Sequence, residues 1–375
     1  NYKKLDRKFA LENAAYFDVI HKVSNKISMR YGLRFNQFLR FKQSGLNRYL
    51  DNNPVVFDSN LGIYKAAEIL GEYQNSSNSR IIKSFFNFEP RLNISYNFNN
   101  KSIKASYNRL NQYIHLISNT NAPAPLDVWA PSGPYLKPQK LDQFALGYHS
   151  LLKNDNKIET EIFYKKIKNR LDYIDGADLV ANEAIERILL NGQARAYGIE
   201  FLYKKNKGRH NFWIAYTLSQ SQQKTIGRNS AESGINKGKW YSTSYDKTHD
   251  LSFVSNFKLN KKLTFNTNFI FQTGQPTTYP IGQYKYMDLV VPNYGSRNSN
   301  RLPNYHRLDL SLTLNPKKNI ERNFKSEWVF GIYNIYNRDN ANSITFKQNE
   351  KTLENEAVQL SIFGIVPSVT YNFKF

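Results

Sequence analysis

The last fifteen residues, SIFGIVPSVTYNFKF (361–375), alternate strictly between two kinds of side chain. The intervening residues are mostly small or polar, whereas every second residue is apolar: Phe363, Ile365, Pro367, Val369, Tyr371, Phe373 and Phe375. A period of two indicates a β-strand, because successive side chains point to opposite faces of a sheet. The apolar face of such a strand packs on the core of a soluble protein or meets lipid in a membrane barrel. This stretch alone is compatible with both classes.

The composition narrows the classes of protein that fit the chain. Of its 375 residues, 15% are aromatic, and aromatic side chains favour pleated, half-buried strands. Mean hydropathy is −0.62, and the absence of any run of about 18 apolar residues excludes a transmembrane helix. A transmembrane barrel stays compatible, because alternation hides its apolar band from a hydropathy window. Cysteine is absent, which excludes disulfides and thiolate metal sites.

Alternation of this kind recurs along the chain and predicts strands throughout. In HRLDLSLTLN (306–315), for example, every second residue is Leu and the residues between are charged or hydroxylated. Thirteen strands are predicted, at about 9–22, 26–40, 80–97, 101–117, 139–153, 157–174, 191–205, 209–223, 245–258, 261–272, 304–316, 323–338 and 357–375.

The connections between these strands alternate between two lengths. The short connections are rich in Asn, Asp, Gly and Lys, as is typical of hairpin turns: VSNK, FNNK, NDNK, NKGR, LNKK and NPKKNIER. The long ones cover about 41–79, 118–138, 175–190, 224–244, 273–303 and 339–356.

This asymmetry places every long loop on one side of the sheet, which is typical of outer-membrane barrels with short periplasmic turns and long extracellular loops. We therefore predict an all-β fold, a transmembrane antiparallel β-barrel integral to the bacterial outer membrane. Its surroundings would be outer-membrane lipid, and its C-terminus would be periplasmic.

The aromatic residues at the chain end have two interpretations. Tyr371, Phe373 and Phe375 resemble the sorting signal that outer-membrane proteins present to the barrel-assembly machinery, which would recognise an exposed strand edge. Alternatively, they belong to an aromatic girdle at the membrane interface and need no recognition. Both interpretations can hold at once.

Ten stretches, in order along the chain, resemble the C-terminal half of TonB-dependent outer-membrane receptors in the form common in Bacteroidetes-type bacteria. Each stretch alone is weak, but the set is specific: EPRLNISYNF, ASYNRLNQYIHLISN, DVWAPSGPYLKPQKLDQFALGYH, FYKKIKNRLDY, RAYGIEFLYKK, AYTLSQS, YDKTHDLS, LPNYHRLDLSLTL, GIYNIYNRDNA and FGIVPSVTYNFKF.

The resemblance implies a barrel of about 22 strands around an N-terminal plug. Residues 1–375 would then be the C-terminal portion of the barrel, without the plug and the first strands. It also implies import of a scarce nutrient, such as a siderophore, glycan or peptide, by loop capture and plug-gated passage. The energy would come from a TonB complex acting through the missing N-terminal part. The alternative is a receptor-like barrel that serves as a structural subunit of a larger outer-membrane complex, with a surface lipoprotein or another outer-membrane subunit as partner.

The sequence carries no catalytic or metal-binding motif. Its six His include no HExxH pair, and no GxSxG or P-loop stands between a strand and a helix. The motif YDKTHD (245–250) contains Asp246, His249 and Asp250, which could suggest a metal site. We interpret it instead as a strand that enters the sheet at the rim of the barrel. The net charge of +22 is not gathered into one basic stripe with stacking aromatics, so nucleic acid is not a predicted partner. We expect no enzymatic activity, no cofactor and no metal.

The long loops carry the candidate ligand-binding residues. Loop 118–138 is rich in Pro and therefore stiff, and aromatic planes stack on sugar rings and flat chelators alike. The alternative role of these side chains is packing between loops. The candidates are Asp127, Trp129, Tyr135, Trp240, Tyr241, Tyr279, Tyr284 and Arg297.

Overall fold

The computed structural model describes residues 7–43, 46–72, 80–117, 128–179, 182–287, 289–316, 325–349, 351 and 355–374. Thirteen long strands dominate it and alternate between apolar and polar side chains as predicted. They are β1 (Ala10–Lys22), β2 (Ile27–Phe41), β3 (Ile81–Phe98), β4 (Lys101–Gln112), β5 (Gln139–Leu151), β6 (Asn156–Tyr173), β7 (Leu189–Lys205), β8 (His210–Lys224), β9 (His249–Lys258), β10 (Leu263–Gln272), β11 (Tyr305–Leu314), β12 (Lys325–Tyr333) and β13 (Val366–Lys374).

These strands form one antiparallel sheet in which each strand pairs with its neighbours in the chain, from β1 to β13. Within the described residues, β1 and β13 each pair on one side only. The predicted all-β antiparallel fold of thirteen strands is confirmed. Four predicted strands extend at least four residues beyond the observed ones at one end. The strand predicted at 101–117 ends at Gln112, the one at 323–338 ends at Tyr333, the one at 245–258 begins at His249, and the one at 357–375 joins the sheet at Val366.

One face of the sheet is apolar along its length, and we call it the apolar face. Phe253 lies opposite Phe269, which lies opposite Leu308, so apolar side chains meet across successive strands. Aromatic side chains gather on this face near the short turns, where Trp328 and Tyr371 have ring centroids 4.7 Å apart. They gather again near the long loops, where Tyr107 and Phe144 are 4.9 Å apart. Two aromatic rows at the ends of an apolar band match the girdles of transmembrane barrels.

The long loops contain small elements of their own. Paired short strands are Asn47–Arg48 with Gly71–Glu72, Val55–Asp58 with Ile63–Ala66, Ile114–Ile117 with Val128–Pro131, Pro276–Thr277 with Asn300–Arg301, Pro280–Tyr286 with Leu289–Tyr294, and Ala341–Gln348 with Asn355–Ser361. Tyr241–Ser242 pairs with the end of β8. Short 3-10 turns in the long loops are Leu50–Asn52, Ile185–Ile188 and Ile235–Gly238, and a fourth, Lys153–Asp155, forms the short connection between β5 and β6. None of the described helical segments has the length and apolarity that a membrane-spanning helix needs.

The buried apolar residues lie mostly in the loops and at the strand ends beside them. Side chains from four different loops join in one cluster, which we call the loop cluster: Val55, Tyr64, Ile117, Ala130, Leu136, Ile174, Leu179, Ile185, Ile188, Leu189, Leu190, Ile235 and Tyr241. Since burying a large apolar side chain contributes about 1.5–3 kcal/mol, this cluster holds the loops together as one packed unit at one end of the sheet.

Candidate functional site

Hydrogen bonds between distant loops reinforce the loop cluster. The Tyr49 hydroxyl donates to Glu186 Oε1 at 2.8 Å, which joins the loop after β2 to the loop after β6. Arg228 Nη1 donates to the Val55 carbonyl oxygen at 2.7 Å and so joins the loop after β8 to the same first loop. These contacts fix the loops relative to one another, so that together they form one surface.

Arg297 lies at the centre of this arrangement. Its Nη1 atom donates to Asp172 Oδ1 at 2.6 Å and to the Tyr173 carbonyl oxygen at 2.8 Å, and Nη2 bonds to Asp175. Its guanidinium carbon lies 4.3 Å from the centre of the Tyr173 ring. One cationic side chain from the loop after β10 thus clamps the outer end of β6.

The second carboxylate oxygen of Asp172 is equally engaged. Thr225 Oγ1 donates to Asp172 Oδ2 at 2.6 Å, and the Tyr241 hydroxyl donates to the same oxygen. Burial raises the pKa of Tyr241, and the Asp172 carboxylate raises it further. Burial acts to lower the pKa of Arg297, but Asp172 and Asp175 outweigh that effect and raise it. Arg297 therefore stays cationic and the Tyr241 hydroxyl keeps its proton at every ordinary pH.

Backbone contacts extend the clamp to a third loop. Asn236 Oδ1 accepts from the Arg297 backbone N–H at 2.8 Å, and Asn236 Nδ2 donates back to the Arg297 carbonyl oxygen at 2.9 Å. Asn298 Nδ2 donates to the Ser242 carbonyl oxygen at 2.8 Å. The loops after β6, β8 and β10 consequently meet at Arg297.

A cavity of about 250 Å³ lies beneath this clamp, where the strand ends of β4–β8 meet the loops. Arg170 on its wall belongs to none of the ion pairs among the described residues, and its buried Nε atom has no hydrogen-bond partner there. Arg170 Nη1 reaches only Gln139 Oε1, at 3.5 Å. Arg170 is half-buried and its guanidinium carbon lies 5.9 Å from the centre of the Tyr245 ring, and a cation whose buried Nε atom has no partner favours a negatively charged or carbonyl-rich group in the cavity. The lining residues include Gln112, His115, Gln139, Asp172, Gln223 and Tyr245.

His115, on the same wall, is fully buried and fixed in one tautomer. Gln139 Nε2 donates to His115 Nδ1 at 3.0 Å, so Nε2 carries the proton and donates to Ser132 Oγ at 2.9 Å. Burial lowers the pKa of His115 to about 4, and the charge of Arg170 contributes to the shift. No group of three His, Asp or Glu able to hold a metal occurs in the part of the chain that the structure describes.

A second cavity, of about 320 Å³, opens between the loops after β10 and β12. Its wall combines Tyr305 and Tyr333 from the strand ends with Lys247 and Phe363 from the loops. Arg307 Nη1 donates to the hydroxyls of both tyrosines, at 2.9 and 2.8 Å. The cavity wall is thus a mixture of aromatic and polar groups.

The predicted ligand-binding residues occupy two kinds of position. Trp129 and Tyr284 are exposed, at 61% and 57% of their full surface. Tyr241 and Arg297 are brought together by Asp172, and their polar atoms are taken up by the clamp. Asp127 lies outside the described residues. Ligand contact by these residues stays a prediction.

The remaining three candidates make contacts within the protein. The Tyr135 hydroxyl donates to the Asn47 carbonyl oxygen at 2.8 Å, and the Trp240 ring lies 4.3 Å from the Arg195 guanidinium carbon. Tyr279 meets Phe346 edge to face at 5.0 Å.

Sequence reasoning missed Asp172 and Arg170 as site residues. Both follow a bulge at Asn169, which has φ 55° and breaks the register of β6 with β7 between Lys168 and Arg170. The bulge turns the end of β6 so that Arg170 and Asp172 reach the cavity. The signal in the sequence was the polar run NR in an otherwise alternating strand, which is too weak to be read alone.

In YDKTHD, Asp246 is buried and accepts a hydrogen bond from the Ser221 backbone N–H at 2.5 Å. It also pairs with Arg301. His249 begins β9, and its Nδ1 atom lies 2.8 Å from the Tyr216 hydroxyl. The predicted strand entry at the rim is therefore what the structure shows at this motif.

The sheet, the loop end and the girdles agree with the comparison to known families. A family model described as "TonB dependent receptor-like, beta-barrel" matches residues 5–335 of the chain. The chain belongs to this family. The predicted resemblance to TonB-dependent receptors is confirmed, and the family consists of transporters rather than enzymes.

Solved structures of TonB-dependent receptors share the fold at low identity. The ferric-catecholate import receptor Fiu of E. coli K12 is 14% identical with a TM-score of 0.55, over 97% of this chain and 44% of that one. The ferric yersiniabactin uptake receptor FyuA of Yersinia pestis is 12% identical with a TM-score of 0.57, over 97% and 45%. The ferripyoverdine receptor of the outer membrane of Pseudomonas aeruginosa is 12% identical with a TM-score of 0.56, over 99% and 39%.

The chain thus spans less than half the length of these receptors. No curated protein matches it. The fold is shown by these likenesses.

Proposed function

We propose that the polypeptide carrying this chain imports a scarce nutrient across the bacterial outer membrane as a TonB-dependent transporter. The long loops would be extracellular and capture the ligand, and a plug encoded outside residues 1–375 would gate its passage. The single observation that carries the proposal is the clamp at Arg297, which gathers three loops above a cavity. Such a packed, positioned loop surface serves binding better than independent loops do, because less order is lost on binding.

Within that surface, we propose two roles for the predicted residues. Trp129 and Tyr284 would stack on the ligand, because their rings are exposed. Tyr241 and Arg297 would position the loops instead. Arg170, on the cavity wall, would favour a ligand with carboxylate or other anionic oxygens, because its Nε atom has no partner in the described structure. A siderophore, an acidic glycan or a peptide each offers such oxygens.

The proposal implies partners at both ends of the barrel. The TonB complex would act through the N-terminal part of the polypeptide, and a surface lipoprotein would cover the loops if the receptor uses one. The barrel-assembly machinery would read the end of β13, where Tyr371 and Phe373 lie on the apolar face, while Phe375 lies outside the described residues.

The test is an uptake assay in a strain that expresses the native polypeptide. The probes are a radiolabelled ferric catecholate, ferric citrate, a sialylated oligosaccharide and an acidic hexapeptide. At least one probe should accumulate, and a protonophore should abolish its accumulation. Arg170→Gln should reduce that uptake about tenfold, as expected for losing one charge-assisted hydrogen bond, whereas Lys65→Gln, in an exposed loop ion pair, should leave it unchanged. If the wild-type polypeptide takes up none of the four probes, the proposal is contradicted.

A second function, a structural subunit of a larger outer-membrane complex, is favoured by one feature. The hairpin Pro280–Tyr286 and Leu289–Tyr294 projects apolar side chains into solvent: Ile281 is 73% exposed and Met287 is 80% exposed. Exposed apolar patches mark protein interaction sites. Two results together would favour this function over import. The polypeptide would show no uptake, and it would co-purify with a second outer-membrane protein that is lost from an Ile281→Ser, Met287→Ser variant.

A further inference from the structure

Five cationic side chains cluster on the apolar face at the long-loop ends of β4–β7. In the register of the sheet, Asp142 lies opposite Arg109 on one side and opposite Lys166 on the other. Lys166 lies in turn opposite Arg195. Directly opposite residues have Cβ atoms about 5 Å apart, so these side chains form one contiguous surface. We call it the basic patch: Arg109, Lys140, Lys166, Lys168 and Arg195.

Like charges face each other in the basic patch. Lys140 lies directly opposite Lys168, and Lys166 lies directly opposite Arg195. Such pairs destabilise a sheet unless another charge offsets the repulsion. None of the three lysines belongs to an ion pair among the described residues.

The acidic residue within the patch does not neutralise it. Asp142 accepts from Arg109 Nε at 2.6 Å and from the Tyr107 hydroxyl at 2.8 Å. Its carboxylate therefore hydrogen-bonds to one of the five cations and attracts Lys168 only through space. The patch keeps a net positive charge that an external anion would offset.

An aromatic row fixes the depth of the basic patch relative to a membrane. The row lies one step nearer the short turns on the same face, and its members lie opposite one another: Tyr107, Phe144, Tyr164 and Tyr197. Phe144 is 53% exposed and Tyr164 is 43% exposed. Because aromatic girdles lie at the membrane interface, the patch just beyond them lies among lipid head groups.

One member of the patch is held in place by the protein. Arg195 Nε and Nη2 both donate to Gln222 Oε1, at 3.0 and 2.7 Å. The Trp240 ring lies against the same guanidinium, 4.3 Å from its central carbon. These contacts hold the Arg195 side chain in place, which reduces the order lost when it binds an anion.

We propose that the basic patch binds the phosphate groups of an anionic glycolipid in the membrane leaflet at the long-loop end. Juxtamembrane basic residues attract anionic head groups, and each of the two facing pairs places two cationic side chains side by side. The inference rests on the proposed outer-membrane orientation of the chain, in which that leaflet is the outer one, and not on import of any ligand.

The experiment measures lipid retention by the native polypeptide purified in dodecyl maltoside. Native mass spectrometry follows binding of bis-phosphorylated lipid A, dephosphorylated lipid A and phosphatidylglycerol. Combined Lys140→Gln, Lys166→Gln and Lys168→Gln should weaken binding of phosphorylated lipid A by about tenfold or more. The dephosphorylated form should bind wild type and variant alike.

A matched control removes three exposed lysines at the opposite end of the sheet, by Lys204→Gln, Lys258→Gln and Lys261→Gln. This control should bind phosphorylated lipid A within about twofold of wild type. Equal binding by the patch variant and wild type, or preference for phosphatidylglycerol, would overturn the proposal. Heat-modifiable gel mobility checks that both variants are folded. Uptake is measured in a separate assay. If uptake fails while phosphorylated lipid A still binds, the result contradicts the proposed import function and leaves the lipid-binding proposal standing.

Discussion

At the scale of single residues, the Arg297–Asp172 pair shows how a receptor can order its loops. A buried ion pair contributes little net stability unless all its hydrogen bonds are made, because both charges leave water. Here Asp172 accepts from Arg297, Thr225 and Tyr241, and is about 1% exposed. The pair therefore constrains how the loops meet, since Asp172 accepts from side chains of two further loops at once.

His115 is the residue with the clearest dependence on pH. Its pKa falls from 6.5 to about 4 on folding, because it is buried without charge. The unfolded loop takes up a proton below about pH 6.5, whereas the folded loop does so only near pH 4. The stability that His115 contributes is therefore complete above pH 6.5 and is lost as the pH falls toward 4, by up to about 3 kcal/mol.

We expect amide hydrogen exchange in Ile114–Ile117, corrected for its intrinsic rate, to accelerate between pH 6.5 and 4.5. His115→Gln should flatten that dependence, because glutamine does not titrate. His21, which is exposed on β1, provides the control, and His21→Gln should leave the pH profile as it is in wild type. An unchanged profile in the His115 variant would contradict the assignment.

At the scale of elements, alternation was sufficient to predict the strands but not their ends. Each of the thirteen predicted segments overlaps one long strand of the sheet. The segment 101–117 breaks because Tyr113 leaves the sheet to stack on Phe38, with ring centroids 4.8 Å apart. The last segment began too early, because Asn355–Ser361 alternates equally well but pairs with Ala341–Gln348 in a loop hairpin. Alternation with a period of two indicates that a segment is a strand, but it does not indicate which other strand that segment pairs with.

The candidate site was less predictable for the same reason. Arg297 and Asp172 are 125 positions apart, and Tyr49 and Glu186 are 137 apart. Local patterns carry no information about such pairs, which depend on how the loops meet in space. The aromatic and cationic character of the loops could be read from the sequence, whereas the division into exposed and clamped residues could not.

The end of β13 offers a test of its two interpretations. If the chain end is a sorting signal, deleting Phe375 should lower several-fold the fraction of the polypeptide that reaches the outer membrane in heat-modifiable form. Phe363→Ala is the matched control, since Phe363 belongs to the same alternating set but precedes β13. Normal insertion of the deletion variant would contradict the sorting-signal interpretation. The girdle interpretation would then stand, in which Tyr371 packs on Trp328 at the membrane interface.

At the scale of the whole molecule, the two ends of the sheet differ in kind. One end carries short turns, and the other carries the loop cluster, both cavities and the basic patch. The lysines that contribute to the net charge of +22 therefore divide into two groups, because those at the short turns are solvated whereas those of the basic patch would, as proposed, face a lipid leaflet. Which leaflet they face depends on the orientation of the barrel.

That orientation can be measured with single cysteines, since the chain has none of its own. Ser230→Cys places a thiol on the exposed loop after β8, and Asn25→Cys places one in the exposed turn between β1 and β2. In a background otherwise free of cysteine, an impermeant maleimide should label the Ser230 variant on intact cells. The Asn25 variant should react only after the outer membrane is permeabilised. The reverse pattern would contradict extracellular loops, and it would place the basic patch against the inner leaflet, where phospholipid replaces the glycolipid as its anion.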